Sequence, residues 1–238
     1  MKTEDIEYHA DGARLVGTLF VDDAKAGKRP GALVAPEGGG LVDLTKAIAM
    51  RLAQAGYVAF AMDYYGDGKP LSDRNQVMPK INAFMAEPST IRARATEALA
   101  VLTRQAETDA SRLAAIGYCF GGTTVLELAR SGADLKAVVG FHCGLATTRP
   151  ADPGVIRAKI LTCIGFHDPI IPPDQRLAFE TEMDAAGVDW RMTVYGQAGH
   201  SFTNPNAGVF GMHGFDYHEA TDKRSWRAMI DLFEEAFA

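Results

Sequence analysis

Short, continuous apolar runs alternate along the chain with longer segments in which apolar residues recur every three or four positions, a pattern that predicts strands and helices in βαβ order. The runs at 15–20, 31–35, 57–62, 113–117, 135–141, 160–166 and 190–195 read as strands. Helical spacing covers 45–55, where Ile48, Leu52 and Ala55 recur and Gly56 stands where a left-handed C-terminal cap belongs. It also covers 90–106, where Ile91, Ala95, Leu99 and Leu102 share a face opposite Arg92, Arg94 and Glu97. Further helices are expected at 121–130, 174–186 and 222–236. Between 63 and 90 the pattern is broken by Gly66, Gly68, Pro70, Pro79 and Pro88, so loops with a short helix near 78–86 are expected, an excursion of the kind that lines sites. With no internal repeat, low-complexity tract or linker, residues 1–238 are assigned to a single α/β domain, its mostly parallel sheet flanked by helices on both faces.

Composition narrows the function classes. Of 238 residues, 47% are hydrophobic and 23% charged, enough to bury a core and unlike a disordered chain. The net charge of -6, without a dense Lys/Arg cluster, disfavours a nucleic-acid partner. The acidic start MKTEDIEYHADG lacks the basic flank and apolar stretch of an export signal, and no run approaches the roughly 18 apolar residues of a membrane span, so no membrane partner and a cytoplasmic location are expected. Three cysteines, Cys119, Cys143 and Cys163, without a C-x-x-C pair, speak against a disulfide framework and a structural zinc site.

The chemistry is concentrated in Gly117-Tyr-Cys-Phe-Gly-Gly122, which joins a buried strand to a helix. A side chain at such a strand-to-helix turn is a nucleophile elbow, with the glycines removing the Cβ atoms that would collide. The helix then aims its N-terminal N–H groups and positive dipole end at the sulfur, favouring a thiolate and a developing oxyanion. A lone cysteine is more often a small buried hydrophobe, but G-x-C-x-G-G arises by accident in about 0.003 of chains of this composition.

A thiol nucleophile wants a histidine to take its proton and a carboxylate to orient that histidine. Of six histidines, His200 stands in a small-residue loop directly after a strand. His9 precedes the early strands, His213 and His218 lie in an aromatic-rich loop, and His142 beside Cys143 suits a core or supporting role. Asp168 also follows an apolar strand, with Pro169 keeping it extended, although Asp before Pro often only starts a turn. The order 119, 168, 200 is the nucleophile–acid–histidine order of α/β-hydrolases, and all three can converge on the carboxyl edge of a parallel sheet. Gly38 N–H, in the glycine-rich loop after an early strand, and Phe120 N–H are the expected oxyanion donors. The 38–40 glycines lack the Lys-Ser/Thr ending of a phosphate loop.

These residues resemble the dienelactone hydrolases (carboxymethylenebutenolidases), cysteine-nucleophile members of the α/β-hydrolase superfamily, over nearly the whole chain. The elbow matches at Gly117, Cys119, Gly121 and Gly122, the acid at Asp168, and the histidine and following serine at His200 and Ser201. The resemblance implies an α/β-hydrolase fold and cleavage of an enol-lactone or small ester through a thioester. It also implies that Glu37 contacts the resting thiol until substrate displaces it, and that Ser201 with an arginine holds a substrate carboxylate. No arginine aligns with that last one. Arg74 and Lys80 are candidates, and Tyr64, Tyr65, Phe84, Met85, Phe210 and Phe215 are candidate walls of an apolar pocket, with Tyr64 expected to touch substrate. No metal or organic cofactor is implied, and the expected partner is a small ester or lactone, on a monomer or small homo-oligomer. A general carboxylesterase, a non-catalytic small-molecule receptor on the same fold and a redox-sensing thiol protein are the alternatives.

Overall fold

Strands buried on both faces lose the in–out polarity of a surface strand and become nearly all apolar, and this is how the inner strands of the sheet are written. In β3 (Arg29–Ala35), Leu33 and Ala35 face one core while Ala32 and Val34 face another. In β5 (Thr108–Tyr118), Leu113 and Ala115 divide from Ala114 and Ile116 in the same way. With β1 (Lys2–Ala10), β2 (Ala13–Val21), β4 (Val58–Ala61), β6 (Ala137–Phe141), β7 (Lys159–Gly165) and β8 (Trp190–Tyr195), they form one eight-stranded sheet of order β1-β2-β4-β3-β5-β6-β7-β8. The pairs β1–β2 and β2–β4 are antiparallel and the rest parallel. This computed structural model describes residues 1–238 apart from the side chain of Phe210, so the expected place of Phe210 at a pocket wall lies outside the described residues.

Helices cover both faces, as the alternation predicts. α3 (Pro88–Thr103), α4 (Phe120–Arg130) and α5 (Pro173–Ala185) contribute Ile91, Leu99, Val125, Leu128, Phe179 and Met183 to the first core. α1 (Asp43–Gln54) and α6 (Glu219–Phe237) contribute Ala49, Leu52, Met229 and Phe233 to the second. The chain runs outward from β3 to β4, then returns to lay β5 against the other side of β3. The loops after β3 and β5 therefore diverge around a crevice at the carboxyl edge, where open α/β sheets bind ligands.

Two expectations are corrected. β1 was not expected, because KTEDIEYHA is too polar to show a strand face; it is an edge strand, largely exposed and closed onto β2 by Asp11 and Gly12, both with positive φ. The helix in the irregular segment, α2 (Arg74–Ala86), starts well before residue 78, since Asp73 caps it by accepting a hydrogen bond from Asn75 N–H at 2.8 Å, and Pro79 lies inside it. No helix among the described residues is long and apolar enough to cross a membrane.

Candidate active site

Cys119 occupies the junction of β5 and α4 with φ 52° and ψ -121°, a left-handed backbone that a side chain rarely adopts. Two glycines make the turn possible. A Cβ on Gly117 would stand 2.1 Å from the carbonyl of Gly121, and one on Gly121 would stand 2.3 Å from the carbonyl oxygens of Ala35 and Pro36. The bend thus packs backbone on backbone, lifts the cysteine clear and keeps it partly exposed at the N-terminus of α4.

The loops after β7 and β8 bring the partners. His200 Nε2 is 3.2 Å from Cys119 Sγ, and His200 Nδ1 is 2.8 Å from Asp168 Oδ2. An Nδ1–H donated to Asp168 turns Nε2 toward the sulfur, where it can exchange a proton with the thiol. Asp168 also starts a turn, its Oδ1 accepting a hydrogen bond from Ile170 N–H at 2.9 Å. The loop of His200 is fixed by His200 N–H donating to Gly214 O at 2.6 Å and by Asp216 N–H donating to His200 O at 3.3 Å. Burial works against a charged His200, but the charge on the Cys119 sulfur and the hydrogen bonds to Asp168 and Cys119 outweigh it, raising its pKa to about 10.

Glu37 is half-buried in the loop after β3, where its Oε2 accepts from Asn204 Nδ2 at 2.9 Å and its Oε1, shielded from solvent, has no partner among the described residues. The thiol contact implied for it by resemblance is replaced here by this bond to Asn204, while the sulfur engages His200. Burial raises the Glu37 pKa, against the pull of His200 and Asn204. A carboxyl whose folded pKa exceeds its unfolded value of 4.5 stabilises fully below pH 4.5 and loses that contribution as pH rises through the folded value. Glu37→Gln is therefore expected to melt above the wild type at neutral pH, with the gap closing below about pH 4.5. Thermal melts across pH check this, and a gap of opposite sign at pH 7 would contradict it.

The other expected residues divide into those at the cleft and those beneath it. Gly38 and Ser201 line the cleft with Cys119, as does Arg74, whose Nη1 lies 2.9 Å from Met212 Sδ. Phe120 N–H lies in the first turn of α4, where no earlier helical carbonyl can take it. Tyr64 is a correction: it is fully buried, and its hydroxyl donates to Glu37 O and Pro36 O, so it holds the loop and cannot touch substrate. Tyr65 does likewise, donating to Gly38 O at 2.7 Å. With Phe84 and Phe120 these rings form an aromatic bed under the loop. Lys80 is also corrected, since its ammonium stands 5.9 Å over the Tyr65 ring and the residue is outside the cleft lining.

The cleft, of about 280 Å³, is walled by Leu71, Val77, Met78, Ile81, Ile170, Met212 and Phe215, of which only Phe215 was expected. A larger depression of about 710 Å³ behind the His200 loop holds none of Cys119, Asp168 and His200. Sequence reasoning also missed Asn204, whose only signal is its nearness to His200 in the same loop. No group of three His, Cys, Asp or Glu residues fit to hold a metal occurs among the described residues.

Comparison with known proteins matches residues 16–237 to the model of the dienelactone hydrolase family. A solved structure called m3DLH is 45% identical with a TM-score of 0.95, covering 100% of this chain and 99% of its own. A dienelactone hydrolase-like promiscuous phosphotriesterase from metagenomic libraries is 40% identical with a TM-score of 0.93, covering 99% of this chain and 98% of its own. A Yersinia pestis protein provisionally named a carboxymethylenebutenolidase is 27% identical over 95% of this chain and 85% of its own.

Proposed function

The chain belongs to the dienelactone hydrolase family, and from that premise we propose that it cleaves a small carboxylic ester or enol-lactone through a thioester formed on Cys119. The observation that carries this reading is the unbroken relay from Sγ through His200 to Asp168, at 3.2 and 2.8 Å. His200 takes the thiol proton, and the thiolate attacks the carbonyl carbon. Gly38 N–H and Phe120 N–H hold the oxyanion, and His200 returns its proton to the leaving oxygen as the tetrahedral intermediate collapses. Water then attacks the thioester with His200 as its base. The causes of the His200 shift favour this second half: acylation removes the contributions of Cys119 that raise the imidazole pKa, so that burial is opposed by Asp168 alone and the ring gives up its proton more readily. Formation of the thioester thus prepares the base that hydrolyses it.

The apolar walls and small volume of the cleft suit a compact, mostly apolar acyl group, with Ser201 and Arg74 placed to meet a polar or anionic end. A second reading is supported by the 40% identical phosphotriesterase: the same sulfur and N–H groups present themselves to a phosphoryl centre. Initial rates on an aryl acetate, an enol-lactone, each again with a carboxylate, and a dialkyl aryl phosphate test both readings. Turnover of at least one carboxylic substrate is expected. Binding without turnover of any of them would leave a receptor and overturn the proposal.

A further inference from the structure

Among the described residues, five that are not glycine have left-handed backbone, and three of them, Cys119, His142 and Ser201, gather at the carboxyl edge of the sheet, while Asp11 and Asp67 sit in turns. Strain of this kind persists only where the surroundings impose it, and it clusters at working sites. Cys119 and Ser201 face the cleft. His142, with φ 38°, is wholly buried behind it and takes no part in the steps above.

Its position is tightly specified. His142 N–H donates to Cys163 O at 2.8 Å, and Nε2 lies 2.8 Å from Thr203 Oγ1, on the loop that carries His200. Nδ1 has no partner among the described residues. The ring centroid stands 5.1 Å from that of His200, edge to face at 68°, and 5.1 Å from that of Phe202. A buried polar ring kept at the cost of an unpaired nitrogen and a strained backbone would be an expensive choice for mere filling.

We propose that His142 is a positioning residue: tethered by Thr203, its ring braces the His200 imidazole so that Nδ1 stays on Asp168 and Nε2 stays on the Cys119 sulfur. Rotation of His200 about Cβ–Cγ swings both nitrogens off their partners together, so one braced ring plane secures both hydrogen bonds. The titratable groups facing His200 are Cys119, Asp168, Glu37 and His142, and Tyr118 flanks His142 at 6.0 Å. Burial and the nearby His200 keep His142 neutral, as a brace beside an imidazolium must be.

NMR titration of the His200 ring tests this without any substrate, and kcat and KM on an aryl acetate add a second arm that rests on the proposed hydrolase reading. In the wild type, His200 is expected to titrate well above a free imidazole, at about 10. In folded His142→Ala its titration is expected to fall by about one unit or more, with kcat down about 10- to 100-fold and KM within about twofold. His142→Phe, which restores a flat ring, recovers most of the titration, and Thr203→Val moves both readouts in the Ala direction by less. Unchanged readouts in folded His142→Ala, or a His142→Phe no better than Ala, overturn the proposal; should Ala not fold, Thr203→Val decides by the same criteria. A wild type without turnover defeats the hydrolase reading and leaves the titration arm to judge the brace.

Discussion

Cys119→Ala is expected to lower ester turnover by about 10⁴- to 10⁶-fold, the scale on which removing the nucleophile of a catalytic triad acts, with a residue left by oxyanion binding and orientation alone. The effect is large because no neighbouring atom can replace the sulfur. Cys143 is fully buried, its thiol pushed far up by burial, and Cys163 is buried as well. The fold is expected to survive, since the turn is made by backbone: Cys119 N–H donates to Phe141 O at 3.0 Å, and Gly117 and Gly121 supply the close approach. The variant should melt near the wild type. Steady-state rates beside a thermal melt check both halves, and a rate within tenfold of wild type would take Cys119 out of the chemistry.

The largest expected loss of stability is at Arg130, the last residue of α4 and almost wholly enclosed. Its guanidinium donates to both oxygens of Glu182 at 2.8 and 2.7 Å, to Glu127 Oε1 at 3.0 Å and to Leu145 O at 2.9 Å. Glu127 is in turn held by Arg92 at 2.8 Å, so α3, α4 and α5 are clamped behind the elbow by one chain of charges. A buried charge that loses its partner costs far more than the pair contributes, because desolvation is then uncompensated. Arg130→Met leaves Glu182 without a cation, so it is expected to cost about 3–5 kcal/mol, a fall in melting midpoint on the order of 10 °C for a chain of this size. Arg130→Met combined with Glu127→Leu and Glu182→Leu should recover part of that loss. A loss below about 1 kcal/mol would mean that the cluster is hydrated like a surface pair.

What could be read from the chain followed from how directly backbone sterics constrain residue type. The elbow was legible because Gly117 and Gly121 answer to carbonyls only 2.1–2.3 Å from where a Cβ would be; no other residue fits, so the motif survives in plain sight. Asp168 and His200 were legible from their places after apolar strands. β1 was not, because an exposed edge strand has no apolar period, although the Asp11-Gly12 turn was a signal that went unused. The cleft walls were hidden for another reason. They come from α2, whose start is marked by a cap at Asp73 and not by period, and from loops around 170 and 212, where spacing carries no information about direction. Tyr64 and Tyr65 were placed at the site by their aromatic character, yet their hydroxyls turn toward the loop carbonyls and their rings toward Phe84 and Phe120. Nothing in a sequence distinguishes a ring that faces a ligand from one that supports the loop facing it.

Intact-protein mass spectrometry after rapid acid quench, with a slowly deacylated aryl ester as substrate, examines the thioester itself. The added mass of the acyl group is expected within the first turnover, localised by digestion to the peptide bearing Cys119 and released by hydroxylamine. Sustained hydrolysis with Cys119 unmodified at every quench time, or acyl mass carried on another residue, would contradict the account.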